Sequence, residues 1–427
     1  MSATAPLYLD TPDAVDRFLS GLAGVSAIAL DTEGASFHRF VDRIYLLQLS
    51  TAHHEAVIDP LPIGTPARLG ALIEDPKVEV VLHDADYDLR LLHQDYGWQV
   101  RHLFDTRVAA QLLGIKAFGL AALLEQFFGV KLDKKHQRAD WSMRPLTADM
   151  LDYAAQDTRH LLGLRDRLHR ELVKKGRWHW AQEEFTRAEG TRWESDGSEQ
   201  AFLKLKGARD LTRRELARLR ELVQWRDGIA AELDRATFRV ASNEVLLDLA
   251  RSAPGTREAL FATKGFPRGM NDARVQDALA AVARGNAVPD HELPRFPKAP
   301  RWDKDPEFDE RVARLKTVRD RVAAELELDP GVLCSRDRME AVARRRPRHV
   351  EEFEAIPELR RWQVEVLADA FVKTLGASGG ATTSQLPASS GPAAPAQAAP
   401  AQAAPAQSAT RATVSASADD DSPYKPE

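Results

Sequence analysis

The chain has 427 residues, 44% of them hydrophobic, which suffices for a large core and is too long for one ordinary domain; length alone argues for roughly two to four domains. The formal net charge of −5, with a pI near 6.2, leaves only local basic patches as a nucleic-acid surface. The single cysteine, Cys334, excludes an internal disulfide framework and a Cys-rich zinc site, and suits a reducing compartment. The N-terminus MSATAPLYLDTPDAV has neither a basic start nor an apolar run, so no signal peptide is expected. No stretch of about 18 apolar residues predicts a membrane span. The chain reads as soluble and cytoplasmic, and no obligate protein partner is inferred.

In chain order, the first third alternates short apolar runs with helical patterns. VSAIAL (25–30), IYLLQL (44–49), 56–58 and VEVVL (78–82) read as buried strands. The first three precede any long helix, which predicts an antiparallel meander. VEVVL leads into a helix over 85–96, 102–104 is a further strand, and helices follow over 120–128 and 147–172. The mixture predicts a central mixed sheet flanked by helices. From about Gly207 the pattern is helical only. Thr212 and Glu215 form a capping box for a helix over 211–233, with Leu216, Leu219, Leu222 and Val223 on one face. Further helices are expected over 243–251, capped by Ser242, and 272–284. The Pro-rich stretch 288–300 reads as a linker. A second helical block runs from about 306 to 375. WRDGIAAELDRATFRVASNEVLLDLAR in the first block aligns loosely with VRDRVAAELELDPGVLCSRDRMEAVAR in the second, which suggests a repeat. Beyond Gly376 the Ala, Pro, Gln and Ser composition cannot bury a core, and a disordered, solvated tail is expected.

Three acidic clusters carry the chemistry: Asp31 and Glu33 in LDTE, Asp88 in HDADYD, and Tyr153 with Asp157 in YAAQD. Strand alternation puts residues i and i+2 on one face, so both carboxylates of LDTE can face one site. Tyr153 and Asp157 share a helix face at i, i+4. Hard carboxylate oxygens suit Mg²⁺ or Mn²⁺, and crowded carboxylates repel unless cations neutralise them. Two ions about 3.5–4 Å apart can run phosphodiester hydrolysis, one activating water and the other stabilising the leaving 3′-oxygen. A tyrosine with an ordinary pKa near 10 is a poor base, so Tyr153 suits orientation of the attacking water. Singly, each cluster has a plainer explanation. DTE is a common surface pair, YxxxD occurs on any amphipathic helix, and HDADYD can set acids against a helix dipole, with Asp84 as the cap and Asp86 solvated. Their order and combination point to a metal site.

These residues, with the segments LDKKHQRADWSMRPLTADMLDYAAQDTRHLL, HDADYDLRLL and FDTRVAAQLLG, resemble ribonuclease D, of the tyrosine subclass of the DEDD exonuclease superfamily. The helical blocks resemble its helicase-and-RNase-D C-terminal (HRDC) domain, present twice. The resemblance implies an α/β ribonuclease-H-like exonuclease domain over 1–190, all-α domains over 205–290 and 303–376, and a tail over 377–427. It implies metal-dependent 3′-to-5′ trimming of RNA with release of nucleoside 5′-monophosphates, with tRNA precursors bearing a single-stranded 3′ end as substrates. Asp31, Glu33 and Asp157 would be metal ligands, with Asp31 bridging both ions. Asp88 would support the second ion directly or through water, and Tyr153 would position the nucleophile. The second block departs from the pattern: ELRRWQVEVL lacks the Gly-Trp-Arg run often found there. No substrate role is carried onto GASFHRFVDR, the stretch after DTE.

Other residues carry weaker signals. His83 reads as a packed strand-end histidine rather than a substrate contact. Upstream of the third cluster, Arg138 could meet a phosphate, Trp141 could stack on a base or pack, and Arg144 could pair with a carboxylate or with RNA. The basic runs 204–220 and 336–349 could track a phosphate backbone or form solvated helix faces. Arg344, Arg345 and Arg346 are assigned to RNA contact, whereas Trp225 and Cys334 are assigned to the core. Two rival readings remain: a DNA exonuclease using the same five residues, since recognition of the ribose 2′-OH is not legible here, and a non-catalytic nucleic-acid scaffold. The latter is disfavoured because all five site residues are present.

Overall fold

The apolar runs of the first hundred residues become strands of one six-stranded sheet. The computed structural model describes residues 6–133, 135–194, 200–297 and 305–376. The strands are β1 Leu7–Leu9, β2 Ala27–Glu33, β3 Leu46–Ser50, β4 Glu55–Ile58, β5 Glu79–Leu82 and β6 Leu103–Asp105, in the order β1-β4-β3-β2-β5-β6. β2, β3 and β4 form the expected antiparallel meander. β5 and β6 continue it in parallel beyond β2, and β1 lies parallel to β4. β1 was not expected from the sequence, since its three residues are too few to show a period. β3 and β5 are buried along their whole length, as strands covered on both faces must be.

Two features of register shape the site. Asp31 stands opposite Gln48 and Glu33 opposite Leu46, so these four side chains share a face of the sheet. β5 pairs with β2 only as far as Ala29, so the end of β2 has a free edge on that side.

Helix Asp86–Tyr96 follows β5, and helix Thr106–Leu112 follows β6. Helix Leu120–Phe128 lies where expected. The single helix expected over 147–172 is instead two, Ala148–Arg159 and Leu161–Lys174, parted at His160. The first packs across β2, β3 and β4, and the second packs on β2, β5 and helix Thr106–Leu112. The chain must turn between these surfaces, and a continuous 3.6-residue period conceals the turn.

The helical blocks repeat one plan. Long helices Arg213–Glu232 and Phe308–Glu325 are each followed by a middle helix, Asn243–Ser252 or Arg336–Arg345, and by a closing helix, Asp272–Ala287 or Arg361–Gly376. The capping box of Thr212 and Glu215 and the Ser242 cap are both formed. Both middle helices end on a left-handed residue, Ala253 (φ 48°) or Arg346 (φ 50°). A buried arginine of each long helix reaches a carbonyl of the middle one: Arg218 to Ala250 (2.5 Å) and Arg311 to Ala343 (3.2 Å). The first block has its own core, including Leu219, Leu246 and Ala278. The second shares one core with the sheet domain; there Trp180 stacks on Trp362 with centroids 4.9 Å apart. Trp225 and Cys334 are buried, as expected.

Among the described residues no helix is long and apolar enough to cross a membrane. Residues 288–297 of the expected linker form no helix or strand. The rest of that stretch, and the expected tail over 377–427, lie outside the described residues.

Candidate active site

β2 delivers two of the acids. Asp31, Thr32 and Glu33 alternate as partly buried, buried and partly buried, so the two carboxylates lie on one face and Thr32 does not. Helix Ala148–Arg159 packs over that face and is capped by Thr147, whose side chain accepts from the Met150 N–H. One carboxylate oxygen each from Asp31, Glu33 and Asp157 lies within 4.8 Å of the other two. The packing is fixed beside the site by Ser50 Oγ and Thr158 Oγ1, 2.7 Å apart.

Asp88 is held apart from this trio in a different way. The free edge of β2 presents the Thr32 N–H and hydroxyl, and both donate to Asp88 Oδ1, at 3.0 and 2.6 Å. Asp88 is buried at the start of its helix. The turn that delivers it is organised by Asp105, a buried carboxylate that accepts from the Asp84 N–H (3.2 Å) and the Ala85 N–H (2.9 Å) while capping its own helix through Arg107 N (2.8 Å). Asp84 adopts a left-handed conformation (φ 64°) and pairs with Arg107 instead of capping, and Asp86 is held by Arg90 at 2.8 Å. His83 Nδ1 lies 2.9 Å from Thr106 Oγ1, and burial lowers its pKa to about 4, so it is a neutral, packed histidine.

The electrostatics of the four acids are one-sided. Burial, then the charges of Asp88, Asp157 and Glu33, push Asp31 well above the usual carboxylate range. Burial, then Asp157 and Asp88, do the same to Glu33. Burial raises Asp88 to about 7 against the pull of the Thr32 hydrogen bonds, and raises Asp157 to about 6. Among the described residues no Arg or Lys is among the leading influences on Asp31 or Glu33. Clustered hard oxygens without a counter-cation fit a divalent metal site.

Tyr153 is half-buried between His136, which meets its ring edge-on at 5.6 Å, and Trp141, which stacks at 6.0 Å. Burial, then Asp157, Glu33 and Asp31, raise its pKa above the ordinary phenol value. Its hydroxyl therefore keeps its proton and can donate. Trp141 is fully buried, which resolves its role in favour of packing. Arg144 also proves structural. It makes a two-pronged pair with buried Asp59 and donates to the carbonyls of Trp141 (2.7 Å) and Tyr45 (3.0 Å). Burial opposes ionisation of Asp59, but its bonds from Arg144, Tyr8 and Leu61 carry its pKa below the usual range.

Comparison with known proteins bears on this arrangement. The 3′-5′ exonuclease family matches residues 6–173, and the HRDC domain family matches residues 215–282 and 308–375. Ribonuclease D of Xanthomonas oryzae pv. oryzae is 32% identical over 82% of the chain and 93% of its own length. The chain belongs to the ribonuclease D family. It is an enzyme, a 3′-to-5′ exoribonuclease. Its fold is likewise similar to the crystal structure of Escherichia coli RNase D, with a TM-score of 0.66 and 27% identity over 88% of this chain and all of that one. A Bifidobacterium adolescentis protein gives a TM-score of 0.76 at 27% identity, over 87% of this chain and 97% of that one.

The four arginines assigned to RNA divide. Arg138 is exposed, with its guanidinium 5.5 Å from the ring centroid of Phe37. The others have partners inside the second block: Arg344 with Glu340 (2.8 Å) and the Phe308 ring, Arg345 with the Ala355 carbonyl, and Arg346 with Asp305 (2.6 Å). In the 204–220 run, Arg213 and Arg214 bind the carbonyls of Leu293 (2.8 Å) and Asn286 (2.9 Å). Much of the basic sequence therefore braces helix ends.

Sequence reasoning missed Thr32, Asp105 and Gln48. Gln48 is fully buried opposite Asp31, and neither of its amide atoms has a partner. One signal was available for Gln48: it is a lone amide in the apolar run IYLLQL. The bonds of Thr32 to Asp88 and of Asp105 to the Asp84 and Ala85 N–H groups gave none, because these partners are distant in sequence.

Proposed function

We propose that Asp31, Glu33 and Asp157, with Asp88 beside them, hold two divalent ions, Mg²⁺ or Mn²⁺, and that the enzyme trims single-stranded 3′ ends of structured RNAs, tRNA precursors among them, to nucleoside 5′-monophosphates. The observation that carries this reading is the meeting of three carboxylate oxygens within 4.8 Å, with no ion pair to them from an Arg or Lys among the described residues. The structured-RNA part draws on the Escherichia coli relative, which is described as an exoribonuclease involved in structured RNA processing.

When bound, the ions would lower the pKa of water and stabilise charge on the scissile phosphate and the leaving 3′-oxygen. The protein's own contribution is positioning. β2 fixes Asp31 and Glu33, and helix Ala148–Arg159 fixes Asp157 against them. Thr32 clamps one oxygen of Asp88 and leaves the other for a ligand or for water. Tyr153, protonated throughout, donates its hydroxyl hydrogen bond to the attacking water and orients it. We further propose the domain limits 1–190, 205–290 and 303–376.

Incubating the enzyme with an end-labelled tRNA precursor and Mg²⁺ should give a stepwise ladder from the 3′ end. The ladder should vanish with chelator and in Asp31→Asn. A ladder on matched DNA at an equal rate would overturn RNA selectivity, and internal cuts would overturn the exonucleolytic mode.

A further inference from the structure

The loop between β2 and β3 leaves the catalytic strand at Glu33 and immediately exposes aromatic surface. Phe37 is 48% exposed. Phe238, from the short helix Thr237–Val240 of the first helical block, is 51% exposed and meets Phe37 edge-on, with centroids 6.3 Å apart at 78°. The neighbouring backbone holds the two rings together. The Ala236 N–H donates to the His38 carbonyl (3.2 Å), the Phe40 N–H donates to Asp234 Oδ1 (3.3 Å), and Arg39 pairs with Asp234 (3.4 Å). The contact thus joins the sheet domain to a block that otherwise has its own core, and both rings at the junction still face water.

Packing contacts link this surface to Tyr153. Ala35, at the base of the loop, belongs to the small core that includes Trp141 and packs against Tyr153. The segment carrying His136 and Trp141 touches Tyr153 with those two rings and touches Phe37 with the Arg138 guanidinium. Phe37 is four positions beyond Glu33, a span of at most about 14 Å. Arg235 and Arg239 flank Phe238, are exposed, and form no ion pair among the described residues. Exposed π faces beside unpaired guanidiniums suit unstacked bases on a phosphate strand, because stacking needs no particular base and the cations meet the backbone.

We propose that Phe37 and Phe238 form a base-stacking subsite for nucleotides just upstream of the scissile phosphate, with Arg138 on the adjoining backbone. This rests on the exoribonuclease reading. The subsite couples the first helical block to catalysis. It admits only strand that is already single, so a duplex stem would stop there.

The test uses the full-length enzyme, with Phe37→Ala, Phe238→Ala and the conservative Phe238→Tyr, each checked for an unchanged thermal midpoint. Affinity for a short single-stranded RNA is measured by fluorescence anisotropy in chelator, and trimming is measured with Mg²⁺. Each alanine variant should weaken binding and raise KM about 5- to 150-fold, the effect of losing one stacked base, with a smaller effect on kcat. Phe238→Tyr should restore most of the loss. An abasic nucleotide walked back from the 3′ end should slow the native enzyme at one or two positions and have no further effect there in the alanine variants. If the native enzyme binds with this pattern but releases no nucleotides, the subsite stands and the catalytic reading fails. If trimming is normal and the variants bind and trim like the native enzyme, the subsite is overturned and the catalytic reading stands. If Phe238→Ala instead abolishes a concentration-dependent dimer and leaves RNA affinity unchanged, the patch joins protein copies and the proposal is likewise overturned.

Discussion

Replacing Asp157 by Asn should stabilise the metal-free protein while abolishing its activity. Burial beside Asp31 and Glu33 holds the Asp157 carboxyl up to about 6, against an ordinary value of 3.8. A gap of about two pKa units corresponds to about 3 kcal/mol, reduced to about 1–3 kcal/mol because the group keeps some contact with water. The folded value lies above the unfolded one, so protonation favours the folded state. That contribution is complete below about pH 4 and is lost as pH rises through about 6. Asp88, held up to about 7, adds a loss of the same sign slightly higher. In chelator, the melting temperature of the native protein should therefore fall across this window. Asp157→Asn should match it near pH 4 and exceed it above about pH 7 by several degrees, at about 2–4 °C per kcal/mol. Added Mg²⁺ should raise the native protein most and narrow the gap, because ligand binding stabilises only the state that binds. Differential scanning calorimetry across pH, with and without Mg²⁺, reads all of this. A variant no more stable than the native protein at neutral pH, or a difference that does not change with pH, would refute the crowding argument.

The remaining predictions concern single contacts. Tyr153→Phe should lower kcat about 10- to 100-fold with little change in KM or melting temperature, as expected for a misplaced nucleophile; an unchanged kcat in single-turnover trimming would remove Tyr153 from the mechanism. Because its hydroxyl stays protonated well above neutral pH, the native pH–rate profile should show no break assignable to it. Arg144→Met should cost about 3–5 kcal/mol in urea unfolding by stranding the buried Asp59 charge, while a normal midpoint with weakened RNA binding would make Arg144 a substrate contact instead. Gln48→Met, which removes a buried amide without a partner, should be neutral or stabilising by about 1 kcal/mol; a clear loss of stability would mean that the amide is satisfied.

The sequence by itself determined the meander, most of the helices and the five catalytic candidates, because each rests on a local period or a short spacing. Alternation along LDTE places Asp31 and Glu33 on one face whatever the rest of the chain does, and the i, i+4 spacing does the same for Tyr153 and Asp157. Tertiary structure alone decided what surrounds them. Only the early end of the β2–β5 pairing leaves Thr32 free to clamp Asp88. Only the packing of helix Ala148–Arg159 across β2 to β4 brings Asp157 to Asp31 and Glu33. Arg144, open in the sequence between a carboxylate and RNA, and Arg344 and Arg346, assigned to RNA, find their partners only when the fold supplies Asp59, Glu340 and Asp305. Phe37 and Phe238 meet across some two hundred residues. A side chain's chemistry is written in its own position, but the charge, burial and partners that tune it come from segments whose approach no local pattern records.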